Sequence, residues 1–153
     1  MFVDVKTHYD MLIDEDNDPV YDPQSLKKYM DKWDGDEFIH NMELTKNKTV
    51  LEIGIGTGRL ALRVAPMCKT LYGIDISSKS IERANSNLSD YKNVRLVCDD
   101  FMTTKIDLKL DVIYSSLTFM HIEDKPKAVN KIASMLTLGG LFVLSIDKNQ
   151  NIS

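Results

Sequence analysis

The chain has 153 residues, of which 43% are hydrophobic, and its 23 acidic side chains outnumber its 19 basic ones. This length suffices for one domain with a sizeable core, and a net charge of −4 disfavours binding to a phosphate backbone. Two cysteines, Cys68 and Cys98, are too few for a disulfide scaffold and lack zinc-site spacing. No apolar run reaches the roughly 20 residues of a membrane span, and no signal-peptide pattern opens the chain. We therefore expect a cytoplasmic domain with no metal site, no membrane contact and no nucleic-acid partner.

The first part of the chain differs in charge from the rest. Residues 1–40 contain 11 of the 23 acidic side chains but only 4 of the 19 basic ones. Pro23, at a first-turn position, predicts a helix that ends near Trp33. We interpret residues 1–45 as a helical leader, either a solvated acidic segment or a lid over a pocket, and residues 46–153 as the main domain.

Strands and helices alternate along the main domain. Short apolar runs predict five strands, at 49–53, 70–74, 94–98, 111–115 and 141–145. Apolar spacing and capping residues predict helices at 59–67, 77–88 and 124–135, with a short one before them at 37–44. Short apolar strands joined by helices favour parallel pairing with right-handed crossovers. The predicted fold class is α/β, a doubly wound, mostly parallel sheet with helices on both faces and a ligand beyond the carboxyl ends of its strands.

Glycines are concentrated directly after the first predicted strand. Gly54, Gly56 and Gly58 are three of the seven glycines in the chain, and such a loop lets the backbone approach a ligand at a helix N-terminus. The dinucleotide fingerprint G-x-G-x-x-G would need a glycine at the position of Arg59. A nicotinamide cofactor is therefore disfavoured and remains a rival interpretation.

Carboxylates follow the next two predicted strands. Asp75 could accept the ribose hydroxyls of either a nicotinamide or an adenosyl cofactor, or cap the following helix. Asp99 could accept the exocyclic amine of adenine beside an apolar wall at Phe101, although such residues also occur in ordinary loops. His121, after the fourth strand, is either structural or catalytic. The residues alone indicate a nucleoside site without naming the nucleoside.

Taken together, these residues resemble the class I S-adenosylmethionine-dependent methyltransferases of the small-molecule type. The resemblance spans about residues 48–147, and five segments carry it in the right order: 50–58, 73–77, 98–101, 110–115 and 138–144. It implies a Rossmann-like fold with strand order 3-2-1-4-5, S-adenosylmethionine as cofactor, and transfer of a methyl group to a small-molecule acceptor.

The resemblance also implies roles for individual residues. The implied cofactor contacts are Glu52, Gly54, Ile55, Gly56, Gly58, Asp75, Ile76, Asp99, Asp100, Phe101 and Ser115. The glycine loop would pass under the methionine part of the cofactor, near whose ammonium group Glu52 and the Ser115 carbonyl would lie. Asp75 would hold the ribose. Ile76 and Phe101 would enclose adenine, with Asp99 on its amine and the Asp100 amide on a ring nitrogen. No residue is identified as catalytic.

Two expectations concern what the chain lacks. We expect the C-terminal hairpin of the family to be missing, because the fifth strand and the first charge after it, Asp147, are followed only by residues 148–153. The apolar edge of that strand should be covered by a second copy of the chain in a homodimer, by the leader, or by further strands of a longer natural sheet. A cofactor-binding domain or fragment without transferase activity is therefore the second interpretation of function.

Overall fold

A computed structural model describes residues 35–145 of the chain. Its centre is a five-stranded parallel sheet with the order β3-β2-β1-β4-β5. The strands are β1 (Thr49–Ile53), β2 (Thr70–Asp75), β3 (Val94–Cys98), β4 (Leu110–Ser116) and β5 (Leu136–Ser145). The predicted fold class and strand order are confirmed. The helix predicted from Pro23 to Trp33 lies outside the described residues.

Between residues 35 and 145, four α-helices connect or precede these strands. They are α1 (Asp36–His40), α2 (Ala61–Val64), α3 (Ser78–Asn87) and α4 (Lys125–Met135). Ser77 caps the N-terminus of α3, where its side chain accepts from the Ser80 amide, and Asp124 caps that of α4, where its side chain accepts from the Lys127 amide. Within residues 35–145 no helix combines the length and apolar character that crossing a bilayer requires.

The sheet has an apolar cluster on each face because successive side chains of a strand point to opposite sides. Val50, on β1, packs with α1, α2 and α3 on one face. Leu51, the next residue, packs with α4 on the other face. Phe38 and Met42, which are 7% and 0% exposed, bring the end of the predicted leader into the first cluster. The segment just before β1 is therefore part of the folded body.

Three elements differ from their predicted bounds by more than two residues. The short helix predicted at 37–44 ends at His40. The helix predicted at 59–67 is α-helical only over Ala61–Val64 and continues as a 3-10 turn at Ala65–Met67. Pro66 has no amide hydrogen to extend the α pattern. The last strand begins at Leu136, five residues before the predicted start. Leu136 pairs with Leu110, but the next recorded pair is Leu141 with Val112, so the segment between them forms a bulge.

Candidate functional site

A cavity of about 520 Å³ opens beyond the carboxyl ends of β1, β2, β3 and β4. Ligand sites of parallel α/β sheets lie at this edge, where the strand order reverses. The residues lining the cavity are Ile53, Gly54, Gly56, Ile74, Asp75, Ile76, Asp99, Asp100, Phe101, Met102, Thr118, His121, Ile122, Glu123, Asp124 and Lys127. The structure thus brings seven of the eleven predicted cofactor residues to one cavity.

The loop after β1 turns back against the end of β2. The amides of Gly54 and Ile55 both donate to the carbonyl of Ile74, at 2.8 and 3.1 Å. Gly54 has a φ of +77°, and a Cβ placed there would overlap the Thr118 side chain at 2.3 Å. Gly56 has a φ of +59°, and a Cβ there would meet no protein atom within 4 Å. Backbone geometry therefore favours glycine at both positions, and at Gly56 there is room for a ligand close to the main chain.

Asp75, at the end of β2, is held by two segments of backbone. One carboxylate oxygen accepts from the Gly56 amide at 2.8 Å, and the other accepts from the Ser77 amide at 2.9 Å. The backbone carbonyl of Asp75 accepts from the Asp99 amide at 3.0 Å. Asp75 consequently links the glycine loop, the start of α3 and the end of β3.

The segment after β3 forms a tight turn. The Asp100 amide donates to the Asp99 carboxylate at 2.8 Å, and the Asp100 carboxylate accepts from the Met102 amide at 2.9 Å. Phe101 is 6% exposed and belongs to the apolar cluster on the α4 face, yet it also lines the cavity. Ile76 lines the same cavity after β2. Aliphatic and aromatic surface is therefore available here beside carboxylates.

The remaining four predicted residues do not line the cavity. Glu52 is 3% exposed and accepts from the Tyr114 hydroxyl at 2.8 Å. Burial, and to a smaller extent the negative charge of Glu52, raises the pKa of the Tyr114 hydroxyl well above its ordinary value. Ile55 and Gly58 are buried, and the Ser115 hydroxyl donates to the Ile53 carbonyl at 3.0 Å. These four residues therefore lie within the protein beside the loop and not on the cavity surface.

Other cavity residues follow β4, and the sequence indicated only part of this set. The rule that ligands lie beyond strand ends points to the segment that contains Thr118 and His121, and both line the cavity. Leu117 has a φ of +58°, which brings an uncommon left-handed backbone to this turn. Lys127 lines the cavity from the first turn of α4, and no motif in the sequence marked it.

The fold is that of a Rossmann-like protein. Its cavity, with a glycine loop and carboxylates at the ends of two strands, is typical of a site for a nucleoside-containing cofactor. A family model described as a methyltransferase domain matches residues 44–151. The chain belongs to this family of S-adenosylmethionine-dependent methyltransferases, and its cofactor is S-adenosylmethionine.

Individual relatives agree with this assignment. The chain is 33% identical over 123 residues to an uncharacterized methyltransferase of Anoxybacillus flavithermus, covering 78% of this chain and 57% of the relative. It is 30% identical over 116 residues to the malonyl-(acyl-carrier protein) O-methyltransferase 1 of Ilyobacter polytropus, covering 74% and 42%. The crystal structure of an S-adenosylmethionine-dependent methyltransferase from Clostridium acetobutylicum superposes with a TM-score of 0.67 and 26% identity, covering 92% and 55%. The chain spans about half the length of the curated relatives it matches.

Proposed function

We propose that this protein transfers a methyl group from S-adenosylmethionine to a small-molecule acceptor. The observation that carries the proposal is the convergence of Gly56, Asp75 and Asp99 on one cavity of about 520 Å³. This volume lies in the range of small-molecule and cofactor sites, roughly 300–1,000 Å³. The cofactor supplies a methyl group already activated on a sulfonium.

In this proposal Asp75 holds the two ribose hydroxyls. Its carboxylate accepts from the amides of Gly56 and Ser77, so its orientation is fixed by the fold. A preoriented acceptor loses little conformational freedom when a ligand arrives. The fixed orientation of the Asp75 carboxylate at the cavity therefore supports its role in holding the ribose.

The turn after β3 is proposed to hold adenine. Ile76 and Phe101 provide apolar surface, and Asp99 provides an acceptor for the exocyclic amine. The Asp100 amide donates to the Asp99 carboxylate. It would therefore have to share its hydrogen with an adenine ring nitrogen if it contacts one.

The chemistry asks mainly for alignment of the acceptor and exclusion of water, and an acid or base only if the acceptor must lose a proton. His121, at the cavity, is the titratable group we would test first for proton removal. The net charge of −4 supports a small molecule over nucleic acid as the acceptor. A homodimer through the β5 edge stays a prediction.

The first test is calorimetric titration with S-adenosylmethionine, S-adenosylhomocysteine and NAD. We expect binding of the first two and none of NAD. Asp75→Ala should weaken that binding by about 1–3 kcal/mol, because it leaves polar partners unsatisfied in a closed site. Asp90→Ala is the matched control, since Asp90 is exposed and does not line the cavity.

Unchanged affinity in Asp75→Ala would contradict the ribose assignment. Incubation with labelled-methyl cofactor and a panel of small amines, alcohols and thiols then separates an enzyme from a binding domain. Tight binding with no labelled product across the panel would favour the second interpretation, a cofactor-binding protein without transferase activity.

A further inference from the structure

Lys131 reaches from α4 to the turn that follows β3. Its ammonium group donates to the carbonyls of Phe101 and Thr104, at 2.5 Å each. The same group lies 4.8 Å from the centroid of the Phe101 ring, within the range of a cation–π interaction. Lys131 does not line the cavity, so it contacts the cavity wall from behind.

Besides its apolar packing against α4, the turn has hydrogen bonds of its own. The Asp100 carbonyl accepts from the amides of Thr103 and Thr104, at 3.1 and 2.8 Å, so these bonds lie within the turn. The two carbonyls bound by Lys131 bracket that turn. A charged donor on both ends fixes its position relative to α4, since hydrogen bonds to charged groups are stronger than neutral ones.

The carboxylates nearest in effect to the Lys131 ammonium belong to the same turn after β3. Burial lowers the pKa of its amine, and the carboxylates of Asp100 and Asp99 oppose that effect. The residues that attract the ammonium are therefore those of the proposed adenine site. Lys127 lies on the same helix and lines the cavity, and its positive charge lowers the pKa of the Lys131 amine.

We propose that Lys131 is a positioning residue that holds the Phe101 wall in place for adenine, an inference that rests on the proposed function. It ties the turn after β3 to the second turn of α4, while the start of α4 lines the cavity at Asp124 and Lys127. One helix then sets the distance between two sides of the site. The ammonium acts through Phe101 and does not touch the ligand.

The test compares Lys131→Met, which keeps the aliphatic stem, with Lys131→Arg, which keeps charge and donors. Lys109→Met is the matched control, because the Lys109 amine donates to the Ser134 carbonyl at 2.6 Å near the far end of α4. Two quantities are measured for the full chain: amide hydrogen exchange at Thr103 and Thr104, and the Kd for S-adenosylhomocysteine.

We expect Lys131→Met to speed exchange at these two amides at least about tenfold, since the turn opens locally. The Kd should rise roughly five- to twentyfold, as expected for loss of a charged hydrogen-bond donor. Lys131→Arg should restore most of the affinity. Lys109→Met should change neither quantity, even if its melting temperature falls as much as that of Lys131→Met.

The outcomes separate this inference from the proposed function. If the wild-type chain does not bind S-adenosylhomocysteine, the proposed function is wrong, and unchanged exchange in Lys131→Met would independently overturn the role of Lys131. If the wild type binds and Lys131→Met binds equally well, the inference fails while the proposed function stands. Should Lys131→Met not fold, Lys131→Gln, which keeps a neutral donor, gives the same comparison.

Discussion

Asp75 shows how far a single residue can be understood before its surroundings are known. Its spacing from the glycine loop predicted a nucleoside site, and in the structure Asp75 and the glycine loop line the same cavity. The two amide bonds to its carboxylate were not predictable, because they depend on where the backbone of Gly56 and Ser77 lies. The sequence thus identified the residue type and the strand end, while tertiary structure determines the orientation.

Glu52 is the opposite case at the residue scale. It is adjacent to the glycine loop in sequence, but it follows Leu51 and precedes Ile53, which both pack on the α4 face. Alternation along β1 therefore directs Glu52 to the other face, where Tyr114 donates to it. Lys131 gave no signal at all, because a lysine on a helix is usually solvated and only the fold places it under Phe101.

A buried thiol gives a pH-dependent prediction. Burial raises the pKa of Cys68 from 9.0 to about 11, and the nearby Lys46 charge opposes this. Between these values the folded chain keeps the proton that the unfolded chain loses, so the free energy of unfolding decreases as pH rises. We expect Cys68 to contribute a decrease of about 1–2 kcal/mol over this interval, measured by urea unfolding.

The matched control for the thiol is Cys98, which is exposed. The slope of stability against pH should be shallower in Cys68→Ala than in the wild type, and Cys98→Ala should retain the wild-type slope. Equal slopes in all three proteins would contradict the prediction. The comparison of variants removes the contributions of groups that titrate in alkaline solution without interacting with Cys68.

At the scale of elements, the glycine loop gives a second prediction. Alanine at Gly54 or Gly56 adopts a positive φ, which costs about 1–2 kcal/mol for a non-glycine residue. At Gly54 its Cβ must also displace Thr118 from an overlap of 2.3 Å. Gly56→Ala should therefore lose about 1 kcal/mol of unfolding free energy and Gly54→Ala about 3 kcal/mol or more.

Thr118 provides the control for this pair. The three atoms nearest to a Cβ at Gly54 all belong to the Thr118 side chain. In a Thr118→Gly background, Gly54→Ala should therefore cost no more than Gly56→Ala does. Equal losses for the two single variants in the wild-type background would mean that the overlap is relieved by a small shift.

Element bounds were predictable where capping and apolar spacing agree, as at Ser77 and Asp124. They were less so at the start of β5. The Gly139–Gly140 pair indicated a turn into the strand, and Gly139 does have a φ of +82°. The chain instead begins pairing before these glycines, at Leu136, and passes them within a bulge. Local turn residues do not reveal that a strand begins before a bulge and continues after it.

At the scale of the whole molecule, the boundary of the leader can be tested by truncation. Phe38, Ile39 and Met42 are buried in the apolar cluster that also contains Val50. Removal of residues 1–34 should therefore leave cooperative unfolding intact, with lower cofactor affinity if this segment closes over the site. Removal of 1–45 should cost several kcal/mol more, since each large buried side chain contributes about 2–5 kcal/mol.

Thermal unfolding and calorimetric titration of the two truncations decide the point. If removal of 1–45 is no more harmful to stability than removal of 1–34, then α1 is dispensable and the leader includes it. If removal of 1–34 leaves cofactor affinity unchanged, the lid interpretation fails and the solvated leader remains.

The central position of β1 also has a consequence for how the chain folds. Val50 pairs with Leu71 on one side and with Val112 on the other, so one half of the sheet is local in sequence and the other is not. Non-local pairing slows folding, because a long loop must close before its contacts form. On the ribosome, β1, β2 and β3 can assemble while the edge of β1 that receives β4 is still open. The interval during which residues 99–116 are synthesised is therefore when nascent chains are most exposed to pairing with each other.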